Sequence, residues 1–386
     1  MKLVLNGGGD GKSVESARYL LNSLIDHSKK ILYIPFAWPD STYNGCLEFM
    51  TSELSDVDKA GIDMVKTTEE LMNKNFNDYA CLYIGGGNTY KLLNDLKVSG
   101  TFDKIKKYLI EDDGIVYGGS AGAIIFGKDL DSCNTDDKNE VGLVDNTGFN
   151  LINEYSLLCH YTSREPERTE LSKNYLLELS KSKPVYAIPE EDTIYINNGN
   201  IEFIGDRPYY EFKNGEVIKK DCYVCKIATL EDIIKKHDYE IEKAVDDKSN
   251  WITWKEKAIE KYNKGLSITY MGLLNGEIIC ECTAAVDPSI VQNSDGLVND
   301  KTAYLFAFRT NEEYQGKGYF SILFKYMIND LISRGYERVT LGVEPEEEKN
   351  KAIYNKYGFN EHIKDAQEVY PDGTTIDVEY YGKSLK

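Results

Sequence analysis

Hydrophobic and polar positions change their spacing repeatedly along the first 200 residues. Short apolar runs that suit buried strands alternate with longer segments in which apolar residues recur every three or four positions, as on one face of a helix. The runs predict strands at 2–5, 30–35, 62–65, 80–84 and 114–117, and the longer segments predict helices at 13–24, 43–54, 89–96 and 102–110. Strands that alternate with helices of this length predict an α/β fold with an open, mostly parallel sheet and helices on both faces.

The spacing changes again after residue 160. A helix at 168–180 and a strand at 185–188 precede hairpin turns at Asn198-Gly199 and Asn214-Gly215, which predict an antiparallel edge that ends near Lys219. Beyond Asp221 the pattern predicts a strand, a capped helix, hairpin strands at 268–274 and 277–285, a strand at 303–310, a helix at 320–333, a strand at 338–343, and a last helix and strand. We therefore expect two domains, residues 1–220 and a mixed α/β domain at 221–386.

Composition narrows the range of partners. The chain has 386 residues and a formal net charge of −19, which disfavours sequence-independent binding to nucleic acid or to anionic membranes. The sequence holds no apolar run of about 18 residues, and Met1 leads directly into a predicted strand. We expect a cytoplasmic protein that acts on small molecules, and the sequence leaves a homo-oligomer open.

Eight cysteines raise the question of a metal site. Cys222 and Cys225, together with Cys280 and Cys282, have the number of thiols that a structural zinc ion needs. Neither pair lies on a glycine-rich turn, and both lie in segments that alternate like strands. Reduced thiols packed in strands are the favoured interpretation, and we predict no metal.

A serine stands at a turn between a predicted strand and a predicted helix. Gly118-Gly119-Ser120-Ala121-Gly122 has the G-x-S-x-G pattern of a nucleophile elbow, in which small residues leave room for a tight turn. A second glycine cluster, Gly85-Gly86-Gly87, follows another predicted strand and offers backbone N–H groups to an oxyanion. Two such loops at the carboxyl ends of parallel strands predict an active site.

A serine nucleophile needs a base, and the chain has only four histidines: His27, His160, His237 and His362. His27 ends an early helix and the last two lie in the second domain, which leaves His160 at the end of an apolar run. A carboxylate that orients the imidazole would complete a triad. Asp136 and Asp137 are both candidates, because both lie between Ser120 and His160 in the chain.

Four motifs carry a resemblance to the S51 serine peptidases, which include peptidase E and cyanophycinase. They are Tyr83-Ile84-Gly85-Gly86-Gly87-Asn88-Thr89, Gly118-Gly119-Ser120-Ala121-Gly122-Ala123, His160-Tyr161-Thr162 and Ile188-Pro189-Glu190. The resemblance implies a fold similar to class I glutamine amidotransferases, with Ser120 as nucleophile, His160 as base, and the N–H groups of Gly87 and Ala121 as the oxyanion hole. It also implies small peptide substrates. For an aspartyl peptide, Arg164, Arg168 and Arg207 are the candidate cations.

The second domain contains a glycine loop before its long predicted helix. Backbone N–H groups of such a loop can bind a pyrophosphate. Gln315, Gly316, Lys317, Gly318, Tyr319 and Phe320 resemble the acetyl-CoA signature of the GNAT N-acetyltransferases. The resemblance extends to Phe308 and Thr310 on the preceding strand and to Asn350 in the last helix. It implies acetyl-CoA as substrate and Tyr354 as the residue that protonates the leaving thiolate.

Two hypotheses from different classes follow. The leading one is a bifunctional enzyme, in which a serine peptidase or amidohydrolase is joined to an acetyl-CoA-dependent N-acetyltransferase that acts on a small peptide or aminoacyl compound. The alternative is an acetyltransferase whose N-terminal domain binds peptides without cleaving them.

Overall fold

The computed structural model describes residues 1–57, 59–244, 248–369 and 373–386. The chain divides into two compact units, Met1–Tyr223 and Val224–Lys386.

The first unit alternates strands and helices from its first residues. The strands are β1 Lys2–Asn6, β2 Ile31–Ile34, β3 Ile62–Met64, β4 Cys81–Ile84, β5 Ile115–Gly119, β6 Ser156–Leu158, β7 Val185–Ala187, β8 Asp192–Asn197, β9 Asn200–Gly205, β10 Tyr209–Lys213 and β11 Glu216–Lys220. The helices are α1 Glu15–Leu24, α2 Tyr43–Glu53, α3 Thr68–Asn73, α4 Thr89–Val98, α5 Thr101–Ile110, α6 Ala121–Ile124 and α7 Pro166–Leu179. Short 3₁₀ helices cover Gly11–Val14, Asp40–Thr42, Phe76–Asp78 and Asp131–Cys133.

The main sheet has the strand order β3-β2-β4-β5-β1-β8-β9. The pairs from β3 to β1 are parallel, and β8 and β9 are antiparallel. The chain runs from β1 to β2 and on to β3 at the edge of the sheet, and then turns back through β4 to β5, which lies between β4 and β1. Their carboxyl ends therefore meet at one edge of the sheet, where ligands bind in open α/β sheets.

Helices cover both faces of this sheet, because alternate residues of each strand point to opposite sides. Leu3 and Leu5 of β1 pack in a buried cluster with Leu92 and Leu93 of α4. Val4, between them, belongs to a second cluster on the other face, with Ala17 and Leu21 of α1 and Met50 of α2. The predicted fold class is confirmed.

A smaller sheet has the order β11-β10-β7-β6. Its strands β6 and β7 are parallel, with Leu158 opposite Ala187. The N–H of His160, just past β6, donates to the carbonyl of Gly7, just past β1, at 3.0 Å. The ends of the two sheets are thus joined at one place.

The second unit has one mixed sheet. Its strands are β12 Tyr223–Ile227, β13 Ser267–Leu274, β14 Glu277–Ala285, β15 Thr302–Thr310, β16 Arg338–Val343, β17 Glu361–Val369 and β18 Thr375–Ser384. Its helices are α8 Leu230–Lys243, α9 Lys248–Asn263, α10 Tyr319–Ser333 and α11 Glu348–Lys356, with 3₁₀ helices at Pro288–Ile290 and Glu312–Tyr314. The strand order is β12-β13-β14-β15-β16-β18-β17.

Most predicted elements of this unit are confirmed, including the capped helix after β12. Thr229 caps α8 by accepting from the N–H of Asp232, whose carboxylate accepts in return from the N–H of Thr229. Two features were not predicted: helix α9, and the second strand of the C-terminal hairpin β17–β18.

Candidate active sites

Ser120 occupies the sharp turn between β5 and α6. Its backbone has φ of 53° and ψ of −114°, a strained conformation for a residue with a side chain. The next turn packs tightly against β4, since a Cβ on Gly122 would lie 2.1 Å from the carbonyl oxygen of Ile84. The turn presents the hydroxyl of Ser120 at the carboxyl edge of the main sheet.

His160 lies against that hydroxyl. Its Nε2 is 2.7 Å from Oγ of Ser120, a hydrogen-bond distance that suits proton transfer from the serine. The predicted pairing of nucleophile and base is thus present in the structure.

Glu190 supplies the carboxylate that holds the imidazole. Its Oε1 is 2.7 Å from Nδ1 of His160, and its backbone N–H donates to Oγ of Ser163 at 2.9 Å. The hydrogen bond with His160 holds the pKa of Glu190 below its usual range, against the opposing effect of burial. Ser120, His160 and Glu190 therefore have the geometry of a catalytic triad.

The prediction that Asp136 or Asp137 orients the histidine is wrong. Asp136 accepts from Nε of Arg168 at 2.9 Å and forms an ion pair with Arg164 at 3.6 Å. Asp137 accepts from the N–H of Thr89 at 2.8 Å and so fixes the first residue of α4. Both carboxylates are engaged elsewhere, and Glu190 takes the position next to His160.

A signal for Glu190 was present in the sequence. It follows β7 as His160 follows β6, and residues beyond the ends of neighbouring parallel strands lie close together. The interpretation of the sequence relied on chain order between Ser120 and His160 instead, and chain order carries no information on distance.

The predicted oxyanion donors lie at the same site. Ala121 directly follows the nucleophile, and Gly87 lines the cavity into which Ser120 opens. Across the described residues, neither backbone N–H donates to a protein acceptor. Both groups are available to a ligand oxygen.

The cavity at Ser120 has a volume of about 830 Å³, within the range of small-molecule sites. Its walls include the aromatic side chains of Tyr33, Trp38, Phe49, Tyr83 and Tyr117.

The three arginines proposed for an acidic substrate differ in position. Arg164 lines the cavity, whereas Arg168 is paired with Asp136 at 2.8 Å and Arg207 with Glu191 at 3.2 Å. The structure thus places only Arg164 of the three in the cavity wall.

The second unit has an opening between two of its strands. The parallel pairing of β15 with β16 stops at Leu305 and Leu341, although β15 continues to Thr310. Ala307 has φ of 55°, and the register between β14 and β15 shifts at this point, which marks a β-bulge. The backbone at Phe308 and Thr310 is thus turned away from regular pairing with β16.

The glycine loop leads from this strand into α10. Gly316 and Gly318 have φ of 73° and 90°, conformations that favour glycine. The N–H groups of Gly316, Lys317 and Gly318 donate to no protein acceptor in the part of the chain that the structure describes. These donors, next to the positive end of a 15-residue helix, fit a pyrophosphate.

Aromatic rings connect the loop to α11. The ring centroid of Phe308 lies 5.5 Å from that of Phe320 and 5.6 Å from that of Tyr354. Burial raises the pKa of Tyr354 to about 12, so its hydroxyl keeps its proton at neutral pH. Asn350, on the same helix, donates from Nδ2 to the carboxylate of Glu347.

Other predicted residues lie in the loop but contact different groups. Gln315 donates from Nε2 to the carbonyl of Thr310 at 3.0 Å and so joins the loop to β15. Lys317 lies with its ammonium 5.4 Å from the ring centroid of Tyr314, and Tyr319 begins α10.

The cysteines are reduced thiols. Cys282 is buried, with its Sγ 3.4 Å from the sulfur of Met327. The described residues contain no group of three or more His, Cys, Asp or Glu side chains placed to hold a metal ion. Likewise, no helix within the described residues is long and apolar enough to cross a membrane.

The main sheet and the triad define the first unit as an α/β serine hydrolase. Residues 3–204 match the family model described as Peptidase family S51, and residues 230–359 match the one described as Acetyltransferase (GNAT) family. The chain belongs to peptidase family S51 and carries a GNAT acetyltransferase domain in its second unit. It is an enzyme with a serine peptidase domain and an N-acetyltransferase domain.

Relatives of the first unit are named peptidase E. The peptidase E of Nostoc sp. (strain PCC 7120) is 29% identical over 203 residues, which are 50% of this chain and 80% of that protein. The peptidase E of Salmonella typhimurium (strain LT2) is 27% identical over 230 residues, which are 55% of this chain and 93% of that protein.

Solved structures resemble each unit separately. A putative peptidase E from Listeria monocytogenes EGD-e has a TM-score of 0.44 and 21% identity, and the match covers 53% of this chain and 98% of that one. The ribosomal-protein-S18-alanine N-acetyltransferase from Escherichia coli has a TM-score of 0.32 and 20% identity, with 42% and 94% covered.

Proposed function

We propose that this chain is a bifunctional enzyme, with a peptidase domain at residues 1–220 that hydrolyses amide bonds of short peptides and an acetyltransferase domain at 221–386 that acetylates an amine. The observation that carries the first activity is the 2.7 Å distance between Oγ of Ser120 and Nε2 of His160. A domain that only bound peptides would need neither this contact nor the strained backbone of Ser120.

In the hydrolysis, His160 takes the hydroxyl proton as Ser120 attacks the substrate carbonyl. Glu190 accepts from Nδ1 of His160 and stabilises the imidazolium that forms. The N–H groups of Gly87 and Ala121 stabilise the negative oxygen. His160 then gives its proton to the leaving amine, and water releases the acyl group by the same steps in reverse.

The size and lining of the cavity support short peptides as substrates. Its aromatic wall suits an apolar side chain. Arg164 offers a cation to an acidic side chain, but it shares its charge with Asp136 at 3.6 Å. Aspartyl peptides are therefore one substrate class to test beside apolar dipeptides, and not the only one.

For the second activity, the cosubstrate is acetyl-CoA, which supplies an activated acetyl group. Gly316, Lys317 and Gly318 would hold its pyrophosphate through their N–H groups, and the opening between β15 and β16 would hold its extended arm. Tyr354 holds a proton at its hydroxyl near this strand. The chemistry of the two domains is complementary, because hydrolysis of an amide releases an amine and N-acetylation consumes one.

The test incubates the full chain with Asp-X, Leu-X and Phe-X dipeptides, with and without acetyl-CoA, and follows the products by mass spectrometry. The expected result is cleavage that disappears in Ser120→Ala, and acetylated amines that remain in Ser120→Ala. Labelling by a serine-reactive phosphonate should likewise require Ser120. Acetylation with neither cleavage nor labelling would contradict the peptidase proposal and favour a peptide-binding module.

A further inference from the structure

A second cavity lies in the acetyltransferase unit, between α8, α9 and the sheet. Its volume is about 570 Å³, and it reaches the bulge of β15 at Phe306, Ala307 and Phe308. The same bulge borders the opening assigned above to acetyl-CoA. An amine in this cavity would thus lie beside the place where the acetyl group has to be transferred.

Charge in the cavity is unevenly distributed. Its lining includes the cationic side chains of Lys236, Lys257, Lys261 and Arg309, and one carboxylate, Glu281. Lys236 is paired with Glu281 at 2.5 Å, and Arg309 is paired with Glu240 at 2.8 Å. The charges of these two cations are therefore already compensated.

Lys257 and Lys261 differ from these two cations in their ion pairing. They lie one turn apart on α9, and among the described residues neither forms an ion pair with a carboxylate. Glu260 is adjacent to Lys261, but it pairs with Lys264 at 2.7 Å. Burial and the neighbouring Lys257 both lower the pKa of Lys261, whose ammonium lies 4.9 Å from the ring centroid of Phe306. Two like charges at this spacing repel each other, and an anion in the cavity would relieve the repulsion.

Aromatic side chains form another part of the wall. The rings of Trp251 and Trp254 meet edge to face with centroids 4.9 Å apart, and within the described residues neither indole N–H has a hydrogen-bond acceptor. The two indoles and Phe306 suit an apolar side chain, and the two N–H groups are further donors for an anion.

We propose that this cavity binds the acetyl acceptor, and that the acceptor is an amino acid or short peptide with a free carboxylate and an apolar side chain. The carboxylate binds to Lys257 and Lys261, and the side chain packs against Trp251 and Trp254. The inference rests on the proposed acetyltransferase function and adds its substrate class. The same two lysines disfavour acceptors of net positive charge, such as polyamines, which have no carboxylate to offset their ammonium groups.

The cavity can be tested by direct binding, because it contains two of the three tryptophans of the chain. The protein is the full chain carrying Trp38→Phe, which removes the third fluorophore, and Ser120→Ala, which prevents hydrolysis of the probes. The probes are N-acetyl-L-phenylalanine, which carries a carboxylate, and its amide, which has the same shape without the charge. Tryptophan fluorescence is titrated with each probe, and calorimetry with CoA is run on the same protein.

The carboxylate probe should bind at least about tenfold more tightly than the amide, as expected for a charge-assisted hydrogen bond, and its affinity should fall with added salt. Lys257→Gln and Lys261→Gln should each remove most of this difference and leave the affinity for the amide unchanged. Lys264→Gln is the matched control, since Lys264 is an exposed lysine directly after α9, and it should keep the difference.

Equal affinity for the two probes, no binding of either, or a preference that survives both lysine substitutions would overturn the assignment while CoA binding stands. A silent titration with CoA would instead remove the acetyltransferase activity on which the inference rests, and the assignment with it. The two failures are therefore distinguishable in one set of samples.

Discussion

Glu190 and His160 face each other from just beyond the carboxyl ends of two neighbouring parallel strands. Leu158 of β6 is paired with Ala187 of β7, His160 lies two residues beyond the first, and Glu190 three residues beyond the second. The 2.7 Å contact between Oε1 of Glu190 and Nδ1 of His160 is therefore a consequence of strand pairing, not of proximity in the chain.

The choice of the triad carboxylate can be tested by two isosteric substitutions. Glu190→Gln should lower kcat of peptide hydrolysis by about 10³–10⁴, because an amide can no longer hold the imidazole in the required tautomer or stabilise its charge. Asp136→Asn should change kcat only a few-fold, since that carboxylate pairs with Arg168. Steady-state kinetics of both variants measures these changes in kcat. A larger loss of kcat in Asp136→Asn than in Glu190→Gln would favour Asp136 as the triad carboxylate.

Stability should depend on pH through Asp192. This carboxyl is buried at the start of β8, and its Oδ2 has no hydrogen-bond partner among the described residues. Burial raises its pKa from 3.8 to about 8. The folded state thus holds a proton that the unfolded state releases, and this contribution to stability is complete below pH 3.8 and is lost as the pH rises towards about 8.

Between these values the loss amounts to at most about 1.4 kcal/mol per pH unit. Asp192→Asn should remove this loss and raise Tm at pH 7, because the amide carries no charge to bury. Thermal melts between pH 4 and pH 8 measure the effect. Asp206→Asn is the comparison, at an exposed neighbouring carboxylate whose charge is a smaller cause of the raised pKa of Asp192, and it should lessen the loss only slightly. Curves of Tm against pH that run parallel for all three proteins would contradict the assignment of this pH dependence to Asp192.

Room for the imidazole depends on Gly8. A Cβ at this position would lie 2.2 Å from Cε1 of His160, on a backbone with φ of 99°. Gly8→Ala should therefore displace His160 and abolish hydrolysis.

Gly11→Ala separates this contact from backbone strain. Gly11 also has positive φ, 52°, but nothing lies within 4 Å of its Cβ position. Its substitution should lower Tm modestly and keep activity. Equal loss of kcat in the two variants would show that strain, and not the contact with His160, is responsible.

Acetyl transfer should depend on the hydroxyl of Tyr354. Tyr354→Phe should reduce kcat of acetylation by about tenfold or more, because the proton for the departing group is no longer supplied, while the affinity for CoA stays the same. Tyr357→Phe, at the residue directly after α11, is the control, because the hydroxyl of Tyr357 lies 2.7 Å from Oγ of Ser321. A change in KM for acetyl-CoA with unchanged kcat would instead indicate that Tyr354 only packs against Phe308.

The sequence allowed the fold class to be predicted, and it selected Ser120 and His160, whose side chains lie 2.7 Å apart in the structure. Ser120 has a local motif, and His160 was selected because the chain has so few histidines. The carboxylate could not be selected in either way, because acidic residues are abundant and the contact between His160 and Glu190 joins residues 30 apart in the chain. The motif Ile188-Pro189-Glu190 contains the residue, but only the pairing of β6 with β7 places it beside His160, and the sequence does not state which strands pair.

Helix α9 was missed for a physical reason. Its apolar residues do not form one stripe, and Ile252 and Trp254 are 47% and 40% exposed. Without the helix, nothing in the sequence distinguishes Lys257 and Lys261 from the many other lysines of the chain. Their position on one face, towards a cavity, emerges only when the helix is packed against the sheet.

The place where the two sheets of the first unit meet, at the hydrogen bond between His160 and Gly7, has a consequence for how the geometry of the site can be lost. Ser120 follows β5 of the larger sheet, whereas His160 and Glu190 follow β6 and β7 of the smaller one. A slip of one residue between β6 and β7 would displace His160 from Glu190 by about 3.3 Å and turn the side chains of one strand to the opposite face. The contact between His160 and Glu190 therefore requires that β6 and β7 keep their register, and any activity that depends on this contact reports on the pairing of two three-residue strands.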